Sequence, residues 1–263
     1  MESNNATQVV FLGAGNVATH LAKSFADKNI KILQVYNHNL EKAKILAQLI
    51  NSDYTDEAAN INKLADVYIL AVSDAAIEDL SSSLSNTLKG KLVVHTSGAI
   101  SSDVFTRHYE RFGIFYPLQT FTIGSKPEWK NIPIFISANK TNDYNILSDL
   151  AYSISNTVES ITDQQRLILH LSAVFVNNFS NHLFTLADQL LAEHDLNFRF
   201  LMPLIEETVN KIKSQKPSEV QTGPAKRGDL ITIQKHLEAI KDNKSLQKIY
   251  LDISRSINPD LNI

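Results

Sequence analysis

The chain contains no cysteine among its 263 residues. This absence excludes disulfides, thiolate metal sites and cysteine nucleophiles, and it is consistent with a reducing compartment. No apolar stretch approaches the ~20 residues of a membrane helix, and residues 1–7 are too short and too polar for a signal peptide. Neither sign of charge is in large excess: the net charge of −3 gives no support for a nucleic-acid partner. The sequence therefore predicts a cytoplasmic protein with no nucleic-acid partner, no membrane partner and no metal site.

Length and composition bound the number of domains. The chain is longer than a typical single domain of ~100–150 residues, so it forms either two domains or one large one. Its content of 43% hydrophobic and 20% charged residues is that of an ordinary globular protein with enough apolar side chains for a core.

Residues 8–20, with the sequence QVVFLGAGNVATH, have the order of a buried strand, a glycine turn and a helix. The apolar run at residues 9–12 is typical of a strand buried on both faces of a parallel sheet. Gly13, Gly15 and Ala18 match the dinucleotide pattern G-x-G-x-x-G/A, in which the glycines allow a tight turn and close approach of a pyrophosphate. The N–H groups at the helix N-terminus would then bind the phosphates. A structural turn without a ligand is the alternative interpretation.

The residues that follow the second predicted strand, at residues 30–36, bear on the choice of cofactor. A cofactor without a 2′-phosphate is usually held there by an acid, but residues 37–39 are Asn-His-Asn and the first acid is Glu41. The asparagine amides, the histidine ring and Lys42 could instead accept a phosphate, so the sequence favours NADP. Asn39 also fits the N-cap of the next helix, which would occupy its side chain.

Apolar runs predict three further strands, at residues 67–72, 92–95 and 113–116. Short polar segments end each of them, and in an open parallel sheet the ligands lie beyond the carboxyl ends of the strands. Ser73, Thr96 and Ser97 are therefore predicted to line the nicotinamide side of the site. His95 closes a buried strand, so a structural role is about as well supported for it as a functional one.

The hydrophobic pattern changes near residue 160, beyond which we find only helical periodicity. We therefore predict a nucleotide-binding domain at residues 1–160 and an all-helical domain at residues 161–263. Thr162 and Gln165 form a capping box, and the run to Leu191 predicts one long, largely apolar helix of about 30 residues, or roughly 45 Å. A polar stripe crosses this helix, consisting of His170, Asn177, Asn178, Asn181 and His182. Buried polar groups need partners, so the stripe binds a ligand or forms a polar seam, an exposed face or a dimer interface.

Residues 222–229, with the sequence TGPAKRGD, predict a loop between helices. Glycine and proline shape it, and Asp229 can cap the following helix. Lys226 and Arg227 are either solvated charges on a structural loop or the cations of a loop that binds an anion or clamps the domains together.

Several segments together resemble a known family: GAGNVATHLA, AVSDAAIED, HTSGA, FYPLQTF, the helix carrying His170 and Asn178, and TGPAKRGD. In this order they resemble NADP oxidoreductases that join a Rossmann-like domain to a helical C-terminal domain of unknown function. The resemblance spans nearly the whole chain, and FYPLQTF and TGPAKRGD are more specific than the glycine loop. Such proteins are similar to pyrroline-5-carboxylate reductase, the deazaflavin-dependent NADP reductases and the beta-hydroxyacid dehydrogenases.

The resemblance implies a Rossmann-like, doubly wound, mostly parallel sheet followed by an all-α domain like the C-terminal domain of 6-phosphogluconate dehydrogenase. It also implies a homodimer formed through the helical domain, with substrate between the domains. One departure concerns catalysis. Beta-hydroxyacid dehydrogenases carry a catalytic lysine before a paired Asn-Asn, whereas Val174 stands at the corresponding turn here. His170, one turn earlier, could take the acid/base role, since histidine titrates near neutral pH.

The leading hypothesis is an NADP-dependent oxidoreductase that transfers a hydride to or from a small carbonyl or imine. A non-catalytic nucleotide-binding sensor or scaffold, and a transferase or lyase that uses another nucleotide, are the alternatives. The predicted catalytic residues are His170, as acid, and Asn178, as the residue that orients substrate. The predicted cofactor-binding residues are Gly13, Ala14, Gly15, Asn16, Val17, Asn37, His38, Asn39, Val72, Ser73, Thr96 and Ser97.

Overall fold

The computed structural model describes residues 7–122 and 124–263. The prediction that residues 1–7 do not form a signal peptide therefore concerns residues that, apart from Thr7, lie outside the described part of the chain. The chain divides into two compact units, Met1–Val174 and Phe175–Ile263.

The first unit is built on an eight-stranded sheet with the order β3-β2-β1-β4-β5-β6-β7-β8. Its strands are β1 Gln8–Leu12, β2 Lys31–Tyr36, β3 Asp53–Thr55, β4 Val67–Leu70, β5 Leu92–His95, β6 Arg111–Pro117, β7 Ile134–Ala138 and β8 Val158–Ser160. Neighbouring strands are parallel except for the pair β6 and β7, which is antiparallel. This confirms the predicted doubly wound, mostly parallel sheet.

Strand β1 shows why the sheet strands read as unbroken apolar runs. Val9 and Phe11 pack into one buried cluster and Val10 and Leu12 into a second, and all four side chains are fully buried. Because successive side chains of a strand point to opposite faces, two clusters mean that both faces of the sheet are covered. The glycine turn therefore begins where a strand in the centre of the sheet ends.

The described residues of the first unit form the α-helices α1 Asn16–Asp27, α2 Leu40–Ile50, α3 Asp74–Leu84, α4 Thr141–Ile154 and α5 Asp163–Ala173. Shorter 3₁₀ helices lie at Ala58–Asn60, Ser102–Phe105 and Trp129–Asn131. The predicted capping box at the start of α5 is confirmed: Gln165 N donates to Thr162 Oγ1 at 3.2 Å, while the Gln165 side-chain oxygen accepts from Thr162 N at 3.0 Å.

The second unit is helical, as predicted. It comprises α6 Ser180–Ala192, the 3₁₀ helix Phe198–Leu201, α7 Met202–Ile212, α8 Pro224–Arg227, α9 Leu230–Ala239 and α10 Lys244–Ile257. Within the described residues its buried apolar cluster is small, consisting of Ala225, Ile233 and Leu261 with a few partly buried neighbours. Across residues 7–122 and 124–263, no helix combines the length and the apolar character that a membrane crossing requires.

The long helix predicted at residues 162–191 is not a single α-helix. A π-helical segment, Val174–Phe179, separates α5 from α6. Apolar side chains of this segment are exposed: Phe175 is 59% and Phe179 49% accessible. Asn177 and Asn178 lie in the π segment and are exposed as well. The predicted joint role of His170 and Asn178 in one site stays a prediction.

The two compact units divide later in the chain than the domain boundary predicted at residue 160. Helix α5 belongs to the first unit because the side chains of Asp163 and Arg166 bond residues 100–102. The roles predicted for the two domains stay predictions.

Candidate functional site

A cleft of about 800 Å³ lies at the carboxyl ends of β1, β2 and β4. The predicted cofactor residues that line it are Gly13, Ala14, Gly15, Asn16, Val17, Asn37, His38, Val72 and Ser73. Asn39, Thr96 and Ser97 are not among its lining residues. The structure thus brings the glycine turn together with the segments that follow the second and fourth strands, as expected at the carboxyl edge of a parallel sheet.

The two glycines of the turn have different constraints. Gly13 adopts φ +120°, and a Cβ there would lie 2.4 Å from the carbonyl oxygen of Ala71, so the fold itself requires this glycine. At Gly15, by contrast, a Cβ would meet no atom of the described residues within 4 Å. Gly15 lines the cleft, so the space beside its Cα is open to a ligand. Of these two glycines, the turn itself therefore requires Gly13 and not Gly15.

Two helix N-termini at the cleft lack side-chain caps. Gly15, which has no side chain, is the N-cap of α1, and Ser73 is the N-cap of α3; within residues 7–122 and 124–263 neither helix has a side-chain cap at this position. The first N–H groups of a helix have no partner within the helix and attract anions. Asn16 and Val17, in the first turn of α1, line the cleft. This end of the cleft is suited to the phosphates of a dinucleotide.

In the segment after β2, some side chains bond neighbouring backbone atoms and others line the cleft. Asn37 is buried and donates its amide to the carbonyl of Asn39 at 3.0 Å. The Asn39 side chain accepts from Lys42 N at 3.1 Å, which confirms the predicted N-cap of α2. His38 and Lys42 are exposed and line the cleft. These two side chains are therefore the groups available to an anion at this end.

One wall of the cleft was missed by the sequence analysis. It is formed by α3, through Ala75, Ala76, Asp79, Leu80 and Ser83, while Tyr36 and Ala71 complete the lining. The α3 residues recur every three to four positions, so they occupy one face of the helix that follows β4. This periodicity was the signal that could have identified them.

The loop after β5 is held by its own side chains. His95 is fully buried, and its Nδ1 accepts from Ser97 N at 3.2 Å. Burial, and next the charge of Arg166, lower the pKa of His95 to about 4, so the ring is neutral at physiological pH. Ser97 Oγ accepts from the N–H groups of Ala99 and Ile100 at 3.1 and 3.0 Å. These contacts support the structural interpretation of His95 and give Ser97 a role in shaping the turn.

His170 lies against this loop and against the end of β6. Its Nδ1 is 3.1 Å from the hydroxyl of Tyr116. A Cβ added to Gly98 would lie 2.6 Å from the same nitrogen, so the glycine backbone packs directly on the imidazole. Burial is the main cause that raises the pKa of Tyr116. Helix α5 thus places a titratable ring at the carboxyl edge of β5 and β6, where the sequence predicts the reacting end of the site.

Arg166 is a further residue that sequence reasoning missed. It is 1% exposed and pairs with Asp163 Oδ1 at 2.5 Å, and it also donates to the carbonyl of Ile100. Asp163 Oδ2 accepts from Ser102 N and from the hydroxyls of Ser101 and Ser102, each at 2.8 Å. An arginine near the start of a helix ordinarily indicates a solvated surface, so no signal marked it. Through these hydrogen bonds, Asp163 and Arg166 hold the first turn of α5 against the loop that follows Gly98.

We expect Asp163→Asn to lower the free energy of unfolding by about 3 kcal/mol near neutral pH, because Arg166 then stays buried without its counter-charge. Burial opposes ionisation of Asp163, but the bonds from Ser101 and Ser102 and the charge of Arg166 hold its pKa below the ordinary 3.8. Because the pKa of Asp163 in the folded protein lies below 3.8, its ionised carboxylate stabilises the fold at pH values above 3.8. This stability is lost as the pH falls through the folded-state pKa. Urea unfolding across pH should therefore show the wild-type advantage shrinking in acid.

The matched control for this prediction is Glu41→Gln. Glu41 is also a first-turn acid with an i,i+3 partner, Lys44, but that pair is exposed and 3.9 Å long. Its loss should change stability by less than about 1 kcal/mol. Equal losses in the two variants would show that burial of Arg166 adds nothing to the pair.

The motif FYPLQTF continues from β6 and is tied to the first helix. Asn16 Nδ2 donates to the carbonyl of Phe121 at 3.0 Å, and His20 Nε2 lies 2.9 Å from the carbonyl of Thr122. The rings of His20 and Phe121 stack at 5.3 Å. Since Asn16 also lines the cleft, the motif is anchored beside the phosphate end of the site.

The predicted loop at residues 222–229 belongs to the second unit and contains one turn of helix, α8, which the sequence pattern did not predict. Asp229 accepts from Thr232 N at 3.0 Å, which confirms that it caps α9. The carbonyl of Ala225 accepts from Asn258 Nδ2 at 3.0 Å. Lys226 and Arg227 are exposed. The contacts account for the shape of the loop, while anion binding by the two cations stays a prediction.

Two family models match the chain. The model described as "NADP oxidoreductase coenzyme F420-dependent" matches residues 8–98, and the domain of unknown function DUF2520 matches residues 132–257. The crystal structure of a putative NADP oxidoreductase from Bacteroides fragilis is 40% identical, with a TM-score of 0.89. That match covers 98% of this chain and 100% of the other. The chain belongs to this NADP oxidoreductase family.

More distant structures share the fold of this NADP oxidoreductase. A reductive aminase from Aspergillus terreus, in complex with NADPH and ethyl-5-oxohexanoate, is 14% identical with a TM-score of 0.72, covering 98% of this chain and 96% of the aminase. An imine reductase from Myxococcus stipitatus, in complex with NADP⁺, is 14% identical with a TM-score of 0.67, covering 97% and 95%. The glutamyl-tRNA reductase of Methanococcus aeolicus is 35% identical over 65 residues, which span 23% of this chain and only 17% of that protein.

Proposed function

We propose that this oxidoreductase transfers a hydride between NADP(H) and a small carbonyl or imine. The observation that carries the proposal is the position of the His170 imidazole against Gly98, at the same sheet edge that carries the nucleotide cleft. The reductive aminase and the imine reductase, crystallised with NADPH and NADP⁺ respectively, support this substrate class.

The residues of the cleft fit a bound NADP(H). The open space at Gly15 and the uncapped N-terminus of α1 would receive the pyrophosphate. His38 and Lys42 would hold the 2′-phosphate, with no acid among the residues between β2 and α2 to repel it. When bound, the cofactor supplies or accepts the hydride. Thr96 and Ser97, predicted to contact it, are assigned by position after β5 alone.

The protein's own chemical task is to position the substrate and to move one proton. In the direction of reduction, His170 would give a proton to the oxygen or nitrogen of the substrate as the hydride reaches the adjacent carbon. The ring would then take a proton from water. Asn178 would orient the substrate through its amide, as the sequence analysis predicts.

The test is the rate at which NADPH is oxidised by a panel of small ketones, aldehydes and cyclic imines, followed by the absorbance of the reduced nicotinamide. Sustained oxidation with at least one carbonyl or imine, absent without the protein, is the expected result. Saturable binding of NADPH without turnover on any member of the panel would contradict the proposal and favour a nucleotide sensor.

Lys42→Ala tests the proposed contact with the 2′-phosphate. We expect NADPH to bind about fivefold more weakly, a loss of about 1 kcal/mol, while the affinity for NADH stays unchanged, because NADH lacks that phosphate. Titration of nicotinamide fluorescence measures both constants. Asn37 is a less direct test because its amide already bonds the carbonyl of Asn39.

Lys44→Ala is the matched control, since Lys44 lies on the same helix and pairs with Glu41 and is not among the residues that line the cleft. An equal loss of NADPH affinity in both variants would indicate general screening of charge rather than a phosphate contact.

We also propose that the protein forms a homodimer through its helical unit. That unit exposes Phe175, Val176, Phe179, Phe200 and Leu204, each at least 49% accessible. The rings of Phe175 and Phe179 are in contact, with centroids 5.1 Å apart, and exposed apolar patches ordinarily mark an interface. Sedimentation velocity should give the mass of a dimer, and a monomer at micromolar concentration would contradict the proposal. A cytoplasmic location stays a prediction.

A further inference from the structure

We infer that Tyr116 is a positioning residue that holds the imidazole of His170 through Nδ1 and leaves Nε2 as the atom that exchanges protons with substrate. This inference rests on the proposed function, in which His170 is the acid. It adds a residue that the sequence analysis did not assign to the site.

The contact itself is specific. The Tyr116 hydroxyl lies 3.1 Å from His170 Nδ1, and the two rings meet edge to face, with centroids 6.2 Å apart and planes at 73°. Tyr116 is the penultimate residue of β6 and is only 8% exposed. A residue in a buried strand has little freedom to move, so the hydroxyl is a fixed point to which a helix side chain can bind.

The direction of the hydrogen bond follows from the surroundings of the hydroxyl. Among the residues that the structure describes, His170 Nδ1 is its hydrogen-bond partner, and a buried hydroxyl needs an acceptor. Because burial raises the pKa of Tyr116, the phenol keeps its proton at physiological pH. Tyr116 therefore donates to Nδ1 of the neutral ring, and the ring proton resides on Nε2.

Gly98 fixes the ring from another side. A Cβ at residue 98 would lie 2.6 Å from Nδ1, 2.7 Å from Cγ and 2.9 Å from Cβ of His170. Real Cβ atoms do not approach that closely, so only glycine leaves room for the ring in this position. The imidazole is thus held by a hydrogen bond at Nδ1 and by backbone contact along the same edge, while Nε2 lies on the opposite edge.

This arrangement serves both charge states of the ring. When the ring carries two protons, the Tyr116 hydroxyl accepts from Nδ1–H instead of donating to it. The ring then keeps its orientation while the Nε2 proton of the doubly protonated ring passes to the substrate oxygen or nitrogen, which leaves the remaining proton on Nδ1. Uptake of a proton from water at Nε2 and release of the Nδ1 proton to water then restore the neutral ring with its proton on Nε2. Holding a proton donor in one orientation is the contribution expected of such a neighbour, and misplacement by about 1 Å can cost two orders of magnitude in rate.

The first test needs no substrate. Nitrogen NMR of the histidine side chains, assigned with His170→Gln, should show an unprotonated and hydrogen-bonded Nδ1 in neutral His170. In Tyr116→Phe, which keeps the ring and removes the hydroxyl, the Nδ1 resonance should move to the position of a free acceptor nitrogen. Tyr109→Phe is the matched control, because it removes another buried hydroxyl, which donates to the carbonyl of Ser81 at 2.8 Å. It should leave the His170 resonance unchanged.

Gly98→Ala gives the same readout by another route, since its methyl group must displace the ring while Tyr116 stays intact. It keeps the inference testable if Tyr116→Phe does not fold. A proton on Nδ1 of the neutral wild-type ring would overturn the inference, and so would an unchanged Nδ1 resonance in Tyr116→Phe.

The second test is a double-mutant cycle on turnover. Tyr116→Phe should lower kcat about tenfold with little change in the KM for NADPH, but should cost nothing further in a His170→Ala background, because Tyr116 acts through that ring. Additive losses would overturn the inference. Failure of the proposed function shows separately, either as no turnover on the carbonyl and imine panel or as undiminished turnover in His170→Ala. In both cases the nitrogen measurement alone decides whether Tyr116 holds the ring.

Discussion

Gly15→Val is expected to abolish measurable NADPH binding, a loss of at least about a hundredfold, while the protein stays folded. The reason is the open space beside this residue: in the part of the chain that the structure describes, a Cβ there meets no atom within 4 Å, and Gly15 lines the cleft. A branched side chain would fill the room through which the pyrophosphate reaches the N–H groups of α1. Fluorescence titration with NADPH measures the affinity.

The accompanying measurements separate loss of the site from loss of the fold. Gly15 does not adopt a left-handed conformation, since its φ is −83°, so valine introduces no backbone strain of that kind. The melting temperature should therefore fall by only a few degrees. Lys23→Val is the control, because it puts the same side chain on an exposed position of α1 and should leave NADPH affinity intact. If Gly15→Val binds NADPH like the wild type, the glycine loop is only a turn.

The two glycines show what a sequence pattern can and cannot predict. The order of strand, glycines and helix was enough to predict β1, the turn and α1, because buried strands and amphipathic helices differ in period. The pattern could not tell which glycine serves the fold and which serves a ligand. That distinction depends on Ala71, which lies next to Gly13 only because β1 and β4 are neighbours in the sheet.

Contacts between residues far apart in sequence account for most of what was missed. Tyr116 and His170 are in contact although 54 positions separate them, and Arg166 bonds Ile100 across 66 positions. In the sequence, neither the tyrosine at position 116 nor the arginine at position 166 indicates that it has such a distant partner. Local signals were more reliable, as shown by the caps at Asn39, Thr162 and Asp229, where the partner lies three residues further along.

The helix that carries the polar stripe was predicted with the wrong geometry for a physical reason. Its apolar residues keep a helical period across residues 162–191, which does not reveal one extra residue in a turn. The π segment Val174–Phe179 contains that change, and Ser180 Oγ accordingly donates to the carbonyl five residues earlier, at 3.2 Å. π turns are frequent at functional sites, and Asn177 and Asn178 lie within this one.

His170→Ala is expected to lower turnover by roughly 10²–10⁴-fold, the usual contribution of a positioned acid or base. NADPH affinity should change little, because His170 is not among the residues that line the nucleotide cleft. The prediction requires a substrate found with the carbonyl and imine panel. Initial rates at saturating NADPH, together with the melting temperature of the same preparation, are the measurements that check it.

The control for this variant is His108→Ala, which removes another half-buried imidazole of the first unit and should leave turnover near the wild-type value. A purely structural His170 predicts a different pattern, since the loss of its contacts with Tyr116 and Gly98 would lower the melting temperature while the folded fraction kept its activity. A fallen melting temperature with unimpaired turnover would therefore remove His170 from the mechanism. Reduced turnover with an unchanged melting temperature would instead give His170 a role in the reaction, since the fold would then be intact and only the chemistry impaired.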